Sequence, residues 1–246
     1  DFNFKDFSKI KEAINNSDIV INLIGILFEN RKQKFTNIHS DLPGLIAKYC
    51  SETEVKKFIH VSAIGADADS NSIYQQSKFN GEQKSLNNFK NTVIIRPSVV
   101  CGVEDNFTNL FAKLSVLPII PVVKKNYKFQ PILVNDVATA IVKAIEIKKN
   151  EGKIYEIGGP KVISFGDMVK SILNTIGKKR LVVDLPMPLA KIQASLFSLM
   201  PKPLLTIDQC EILKEADNIV SNNYLTLKDL NIKPDDVEQA MSKWLW

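Results

Sequence analysis

The sequence predicts an α/β protein, a doubly wound parallel sheet carrying a smaller C-terminal α+β lobe, and three observations lead there. Apolar β-branched runs alternate with segments of helical period across roughly the first hundred residues. Those runs are apolar throughout rather than alternating in and out, as strands are when helices cover both faces of the sheet. From Phe107 onward the alternation loosens, cut by Pro118, Pro121, Pro131, Pro160, Pro186, Pro188, Pro201 and Pro203 into short helices and strands. The expected organisation is a sheet domain over 1–160 and a smaller lobe over 161–246, packed on the first and sharing its site.

Taken in order, a helical segment over 7–15 leads into a strand near 19–24. A helix over 38–50 and a strand over 57–62 follow, then a helix over 72–86 and a strand over 92–96. Each strand–helix–strand step is a crossover between parallel strands. Asp136 is expected to cap the helix that begins after Phe129. The chain opens Asp1-Phe2-Asn3-Phe4 without methionine and enters a helix at once, which reads as an N-terminally truncated sheet.

Composition narrows the function. At 246 residues, 45% hydrophobic and 24% charged, there is enough apolar material for a sizeable core. The net charge of +5 is spread among almost as many acids, with clusters at Lys124, Lys125, Lys128 and at Lys178, Lys179, Arg180. Solvated surface is the plain reading of those clusters, with no nucleic-acid partner. Cys50, Cys101 and Cys210 are far apart and odd in number, which suggests neither a disulfide framework nor a metal site. No apolar run nears the ~18 residues of a membrane span, so any membrane association is peripheral.

In an open parallel sheet the ligand lies beyond the C-terminal strand ends, so the residues just past each strand are the candidates. Past the first come Asn22, Leu23, Ile24 and Gly25, where a glycine admits a flat ligand close to the backbone. Past the second come Val61 and Ser62, then Tyr74 twelve residues on and Lys78 four further. At i and i+4 of a helix the phenol and ammonium share a face, the cation favouring the phenolate that acid–base chemistry needs. Ser62 stands ready to hydrogen-bond a reacting oxygen. Tyr224 and Lys228 repeat the spacing but follow no strand ending in serine, and read as surface. Past the third strand come Arg96 and Pro97, where proline fixes the backbone as the chain leaves the sheet, and the amides that follow, from Ser98 and Val99 on, could face a carboxamide. His39 and His60 have no acidic or cysteine partners at ligand spacing and read as packing.

With Ser62, Tyr74, Lys78 and the Arg96-Pro97 turn in place, the chain resembles the extended and atypical short-chain dehydrogenase/reductase superfamily, Rossmann-type proteins that bind NAD(H) or NADP(H). Residues 18–29 (DIVINLIGILFE), 58–82, 95–112, 129–138 and above all 185–209 (LPMPLAKIQASLFSLMPKPLLTIDQ) are similar to the NAD(P)-binding accessory subunit family of respiratory complex I. That resemblance implies a seven-stranded parallel sheet, a tightly held structural dinucleotide and a place on the cytoplasmic or matrix side of the energy-transducing membrane. It implies cofactor contacts at Leu23, Ile24, Gly25, Val61, Tyr74, Lys78, Pro97, Ser98 and Val99. The family opens with strand, G-x-x-G-x-x-G and helix, and none of the ten glycines here forms that pattern. Binding of NADP(H) or NAD(H) is therefore expected to be weakened or lost, and the sheet edge at Ile21 to be bare.

Two functions follow. One is an accessory subunit of complex I that keeps a nucleotide and docks through 185–205. The other is an NAD(P)-dependent oxidoreductase or epimerase with Tyr74 as general acid/base, Lys78 on the ribose and Ser62 positioning an unspecified small-molecule substrate. The volume bounded by Phe107, Phe111 and Gln130 separates them, being open for a substrate and filled by side chains otherwise.

Overall fold

The computed structural model describes residues 7–245. Its main sheet has four strands in the order β1-β2-β3-β8. Helix α1 (Phe7–Asn15) precedes β1 (Ile19–Asn22), and a wide turn over Thr36–Asp41 runs into α2 (Leu42–Ser51). β2 (Lys57–Val61), α3 (Ile73–Asn88) and β3 (Thr92–Pro97) follow. β1 pairs parallel with β2, Ile21 opposite Ile59 and Asn22 opposite His60, and β2 pairs parallel with β3. Every residue of β3 and four of the five in β2 are buried, which is why these strands carry no polar alternation.

The chain forms two compact units, interleaved in sequence: residues up to 96 with 141–155, and 97–140 with 156–246. In the first, Ile10 and Ile14 of α1 pack with Leu42, Ile46 and Cys50 of α2 and Phe58 of β2. In the second, β4 (Val100–Cys101), α4 (Asn106–Leu114), β5 (Ile119–Val123), β6 (Lys128–Phe129) and β7 (Ile132–Leu133) lead into α5 (Val134–Glu146), whose end belongs to the first unit. β8 (Ile154–Ile157) returns the chain to β9 (Ile163–Ser164), α6 (Phe165–Thr175) and β10 (Leu181–Leu185). Helices α7 (Met187–Phe197), α8 (Ile207–Ile212) and α9 (Val237–Ala240) complete it. The second unit's strands form three two-stranded sheets: β5 with β10 and β4 with β7, both parallel, and β6 with β9, antiparallel. Its core is built on Met168, Val169 and Ile172 of α6 and Ile120 of β5, all fully buried.

The helices and strands expected over residues 7–96 are present within a residue or two of their expected ends. The helix expected over 38–50 opens with the wide turn instead, where Leu42 N–H bonds Asn37 C=O, five residues back. Among the described residues the main sheet has four strands and β1 pairs only with β2, Ile21 standing 44% exposed. Asp136 does not cap α5: the helix begins at Val134, and the Asp136 carboxylate accepts the N–H of Asp235 at 3.0 Å. Tyr224 and Lys228 lie outside any helix, so their spacing carries no shared face. No helix among the described residues is long and apolar enough to cross a membrane.

Candidate functional site

The first unit gathers its polar residues past the ends of β1 and β2. Asn22, the last residue of β1, accepts the N–H of Ile24 on Oδ1 at 3.1 Å. Its Nδ2 must then donate, and it meets His60 Nδ1 across the sheet at 3.1 Å. That leaves the His60 proton on Nε2, a buried atom with no hydrogen-bond partner among the described residues. Two residues on, just past the end of β2, the Ser62 hydroxyl is likewise buried with no partner among the described residues. Two orphaned donors this deep are costly unless something accepts from them.

Tyr74 and Lys78 stand on the first turns of α3. Ser72 caps that helix, its hydroxyl accepting Gln75 N–H at 3.2 Å. Tyr74 is half-buried, with His39 edge-on at 5.1 Å and Phe35 at 5.6 Å. The Lys78 ammonium lies 5.8 Å from the centre of the Tyr74 ring. It is 5% exposed, and its hydrogen bond, to Val61 C=O, is long at 3.5 Å. Burial pushes its pKa down to about 8, against the pull of Glu82 one turn along. A Cβ placed on Gly25 would come within 3.4 Å of that ammonium and 3.7 Å of His39 Nε2. The glycine thus keeps the space over Lys78 clear.

His39 locks this corner together. Its Nε2 accepts Ile26 N–H at 3.0 Å, so Nδ1 carries the proton and donates to Ser77 Oγ at 3.1 Å. Ser77 in turn donates to Tyr74 C=O at 2.7 Å. The imidazole thereby ties the loop past β1 to the turn of α3 that carries Tyr74. Burial, then the Lys78 charge, holds His39 neutral with a pKa of about 3, and His60 likewise, with His39 adding to the effect. Below Lys78, Glu82 receives a two-pronged, fully buried Arg96 (Nε to Oε1 2.9 Å, a second nitrogen to Oε2 2.7 Å) that pins α3 to β3.

The structure therefore brings Gly25, Val61, Tyr74 and Lys78 into one corner with Ser62 next to Val61. Ile24 is half-buried there, while Leu23 points out, 65% exposed. Pro97, Ser98 and Val99 belong to the second unit. There the Ser98 hydroxyl lies 2.7 Å from Asn218 Oδ1 and accepts Gln130 N–H at 3.2 Å, and Val99 C=O accepts Ile132 N–H at 2.9 Å. Gln130 is spent in turn on Gly159 C=O and Val220 N–H. Phe107 and Phe111 pack into an aromatic cluster with Phe129 and Phe165, centroids 5.2–5.8 Å apart. Sequence reasoning placed Asn22 past the first strand without giving its side chain a role, read His39 and His60 as packing, and did not single out Ser77. Nothing in the spacing marks the contacts that the two histidines and Ser77 make.

The sequence matches the family model described as the RmlD substrate binding domain over residues 2–203. It is 32% identical over 237 residues to "NADH dehydrogenase [ubiquinone] 1 alpha subcomplex subunit 9, mitochondrial" of Mus musculus, covering 95% of this chain and 63% of the relative. With the subunit of the same name in Dictyostelium discoideum it shares 30% identity, covering 98% of this chain and 68% of that one. Thus the chain spans about two thirds of the length of these relatives. Among solved structures, a dTDP-4-dehydrorhamnose reductase from Bacillus anthracis in complex with NADP superposes with a TM-score of 0.72 at 16% identity, covering 99% of this chain and 86% of that one. A nucleoside-diphosphate-sugar epimerase from Staphylococcus aureus does so with a TM-score of 0.75 at 12% identity, covering 98% and 82%.

Proposed function

Because the chain belongs to the RmlD substrate binding domain family and to that of the complex I alpha subcomplex subunit 9, we propose that it is an accessory subunit of respiratory complex I. In this reading it holds NADP(H) or NAD(H) as a structural group. Its place is peripheral, on the matrix or cytoplasmic side of the energy-transducing membrane.

The observation that carries the nucleotide reading is the poorly satisfied ammonium of Lys78, buried with one 3.5 Å acceptor beside a glycine. A buried ammonium wants more acceptors than one long bond supplies. Ribose hydroxyls supply them, and the orphaned Ser62 Oγ and His60 Nε2 offer further polar contacts in the same region. The residues present fit the group: Gly25 leaves room for it, Lys78 and Tyr74 would hold its sugar, and Val61 would border it. A nicotinamide supplies hydride chemistry when bound. Nothing else in this reading requires turnover, and Phe107, Phe111 and Gln130, the residues to bound a substrate space, are spent on contacts within their own unit.

The test is calorimetry with NADPH and NADH on this chain and on a version extended at its N-terminus by a strand and glycine-rich turn. Binding that strengthens in the extended protein and is lost on Lys78→Met supports the reading. No binding in either folded protein removes the nucleotide from it. If the extended protein oxidises or reduces an added carbonyl or alcohol and Tyr74→Phe abolishes this while sparing affinity, the subunit is an enzyme and the structural role fails.

A further inference from the structure

The second unit carries a cationic cavity that the nucleotide site does not use. It measures about 180 Å³ and is lined by Lys170, Leu173, Asn174, Lys178, Lys179 and Arg180, at the C-terminal end of α6 and the turn into β10. Lys170 pairs with Asp167 at 2.9 Å. Among the described residues Lys178 and Lys179 form no ion pair, and Arg180 donates to the carbonyls of Ser115 and Lys179. No acid lines the cavity.

Beside it lies an apolar fringe that the same contacts hold in place. The Arg180 Nε to Ser115 C=O bond, at 2.7 Å, brings the turn at Val116 and Leu117 alongside the basic segment. Leu181 N–H bonds Pro118 C=O at 3.2 Å, and Leu181 stands opposite Ile119 in the β5–β10 pair. The alternation of β5 and β10 turns Ile120 and Val182 inward and Ile119 and Leu181 outward. Val116 is 80% exposed, Leu181 61%, Ile119 50% and Leu117 43%. Four aliphatic side chains in water next to three cations without acidic partners is an arrangement that an aqueous surface does not favour.

We propose that this face docks on a lipid bilayer carrying anionic headgroups, with a headgroup phosphate in the cavity and Val116, Leu117, Ile119 and Leu181 entering the acyl boundary. Charge complementarity selects the occupant: beside Leu173 the cavity offers four cationic side chains, the Asn174 amide and no acid, and its volume suits a phosphate with its attached glycerol, whereas a single carboxylate would leave it largely empty. Aliphatic side chains beside lysines and an arginine are the composition by which peripheral proteins combine apolar insertion with attraction to anionic lipid. The inference goes beyond the nucleotide reading and does not depend on it.

The experiment is flotation of the 246-residue chain with vesicles of phosphatidylcholine alone or mixed with phosphatidylglycerol, at low and high salt, with inorganic phosphate and polyglutamate as separate competitors. The expected result is binding to the mixed vesicles that salt weakens. Each cation near an anionic surface contributes about fivefold, so Lys178→Ala with Lys179→Ala should weaken partition roughly thirtyfold. Leu181→Ser with Val116→Ser should weaken it too, in a manner that salt does not mimic. All four positions are exposed, and an unchanged thermal midpoint verifies that the variants are folded. Failure to float with mixed vesicles overturns the proposal, as does equal binding to neutral ones. Tight capture of inorganic phosphate without flotation makes the cavity a free-phosphate site, and capture of polyglutamate without flotation makes it a face for an acidic protein; either overturns the lipid assignment. So does flotation abolished by Leu196→Ser on α7 and untouched by the lysine variant.

Discussion

Lys78 is where the site and the stability of the fold meet. Its pKa falls from the ordinary 10.5 to about 8 because burial penalises the charged form. Between those two values the unfolded chain binds more protons than the folded one, so stability rises with pH across that window. Below about pH 8 the penalty is present in full, on the order of 3 kcal/mol. Lys78→Met should therefore abolish the rise between pH 8 and 10.5 and raise the melting temperature at pH 7 when no nucleotide is present. Thermal unfolding across that range measures both, and a wild-type curve flat above pH 8 would sink the argument. His39 and His60, held at about 3 against an ordinary 6.5, act at the other end. Here too the unfolded chain binds more protons between the two values, so stability is lost as pH falls from 6.5 towards 3. Replacing either histidine by glutamine should make acid unfolding less steep, as followed by circular dichroism. None of this was legible in the sequence. Tyr74 and Lys78 could be read from spacing, because i,i+4 residues on a helix share a face wherever the helix goes. His39 could not, because its role depends on an imidazole from one segment reaching the loop past β1 and Ser77 on α3 at once.

Helix α3 is the element that converts sequence spacing into site geometry, and three anchors hold it. Ser72 caps its start, Arg96 grips Glu82, and Gly81 lies so close to the wide turn that a Cβ there would overlap the His39 carbonyl. Gly81→Ala should thus cost at least ~2 kcal/mol, by analogy with overpacked cores, and should loosen His39 as it does so. Denaturant titration reads the cost. Glu82→Gln leaves the buried Arg96 without its charge partner and should cost ~3–5 kcal/mol, while Glu82→Leu with Arg96→Met should come close to neutral. Equal losses in the single and double variants would show that the pair is not acting through charge. The strands and helices of residues 7–96 were legible because apolar runs and helical period are local properties. The turn over 36–41 was not, since widening it by one residue changes no pattern in the sequence. Ser98 shows a further limit. It lies just past β3, where ligand contacts are looked for, yet its hydroxyl is committed to Asn218, 120 residues away, a pairing that no local signal reveals.

On the scale of the whole chain, the prolines of the C-terminal part correctly announced short elements, but not that residues 97–140 and 156–246 form one compact unit. Interleaving of that kind is set by which surfaces pack, and packing partners are not written in local order. Packing also gives α7 two unlike faces. Its inner face is Ala190 and Ala194, both buried in a cluster with Tyr127, Phe129 and Leu213. Its outer face sets Leu189, Ile192, Leu196 and, just beyond the helix, Leu199 in water, 54–86% exposed. Small residues inward and large ones outward invert the order expected of a helix that serves its own core alone. The outer stripe is the natural candidate for the contact with neighbouring complex I subunits in the proposed assembly. The two faces then make opposite predictions. Ala190→Leu overpacks a site with no room and should destabilise by ~1–3 kcal/mol. Ile192→Asp with Leu196→Asp removes only exposed apolar surface and should leave the chain's own stability within ~1 kcal/mol, at ±0.5 per surface substitution. The same charges placed in a desolvated interface cost several kcal/mol, enough to remove the subunit from the assembly. Co-purification of the tagged double variant with complex I from its host, beside the tagged native protein, is the measurement. Loss of association with an unchanged melting temperature places the interface on α7. Retention places it elsewhere on the chain and leaves the outer stripe of α7 without that role.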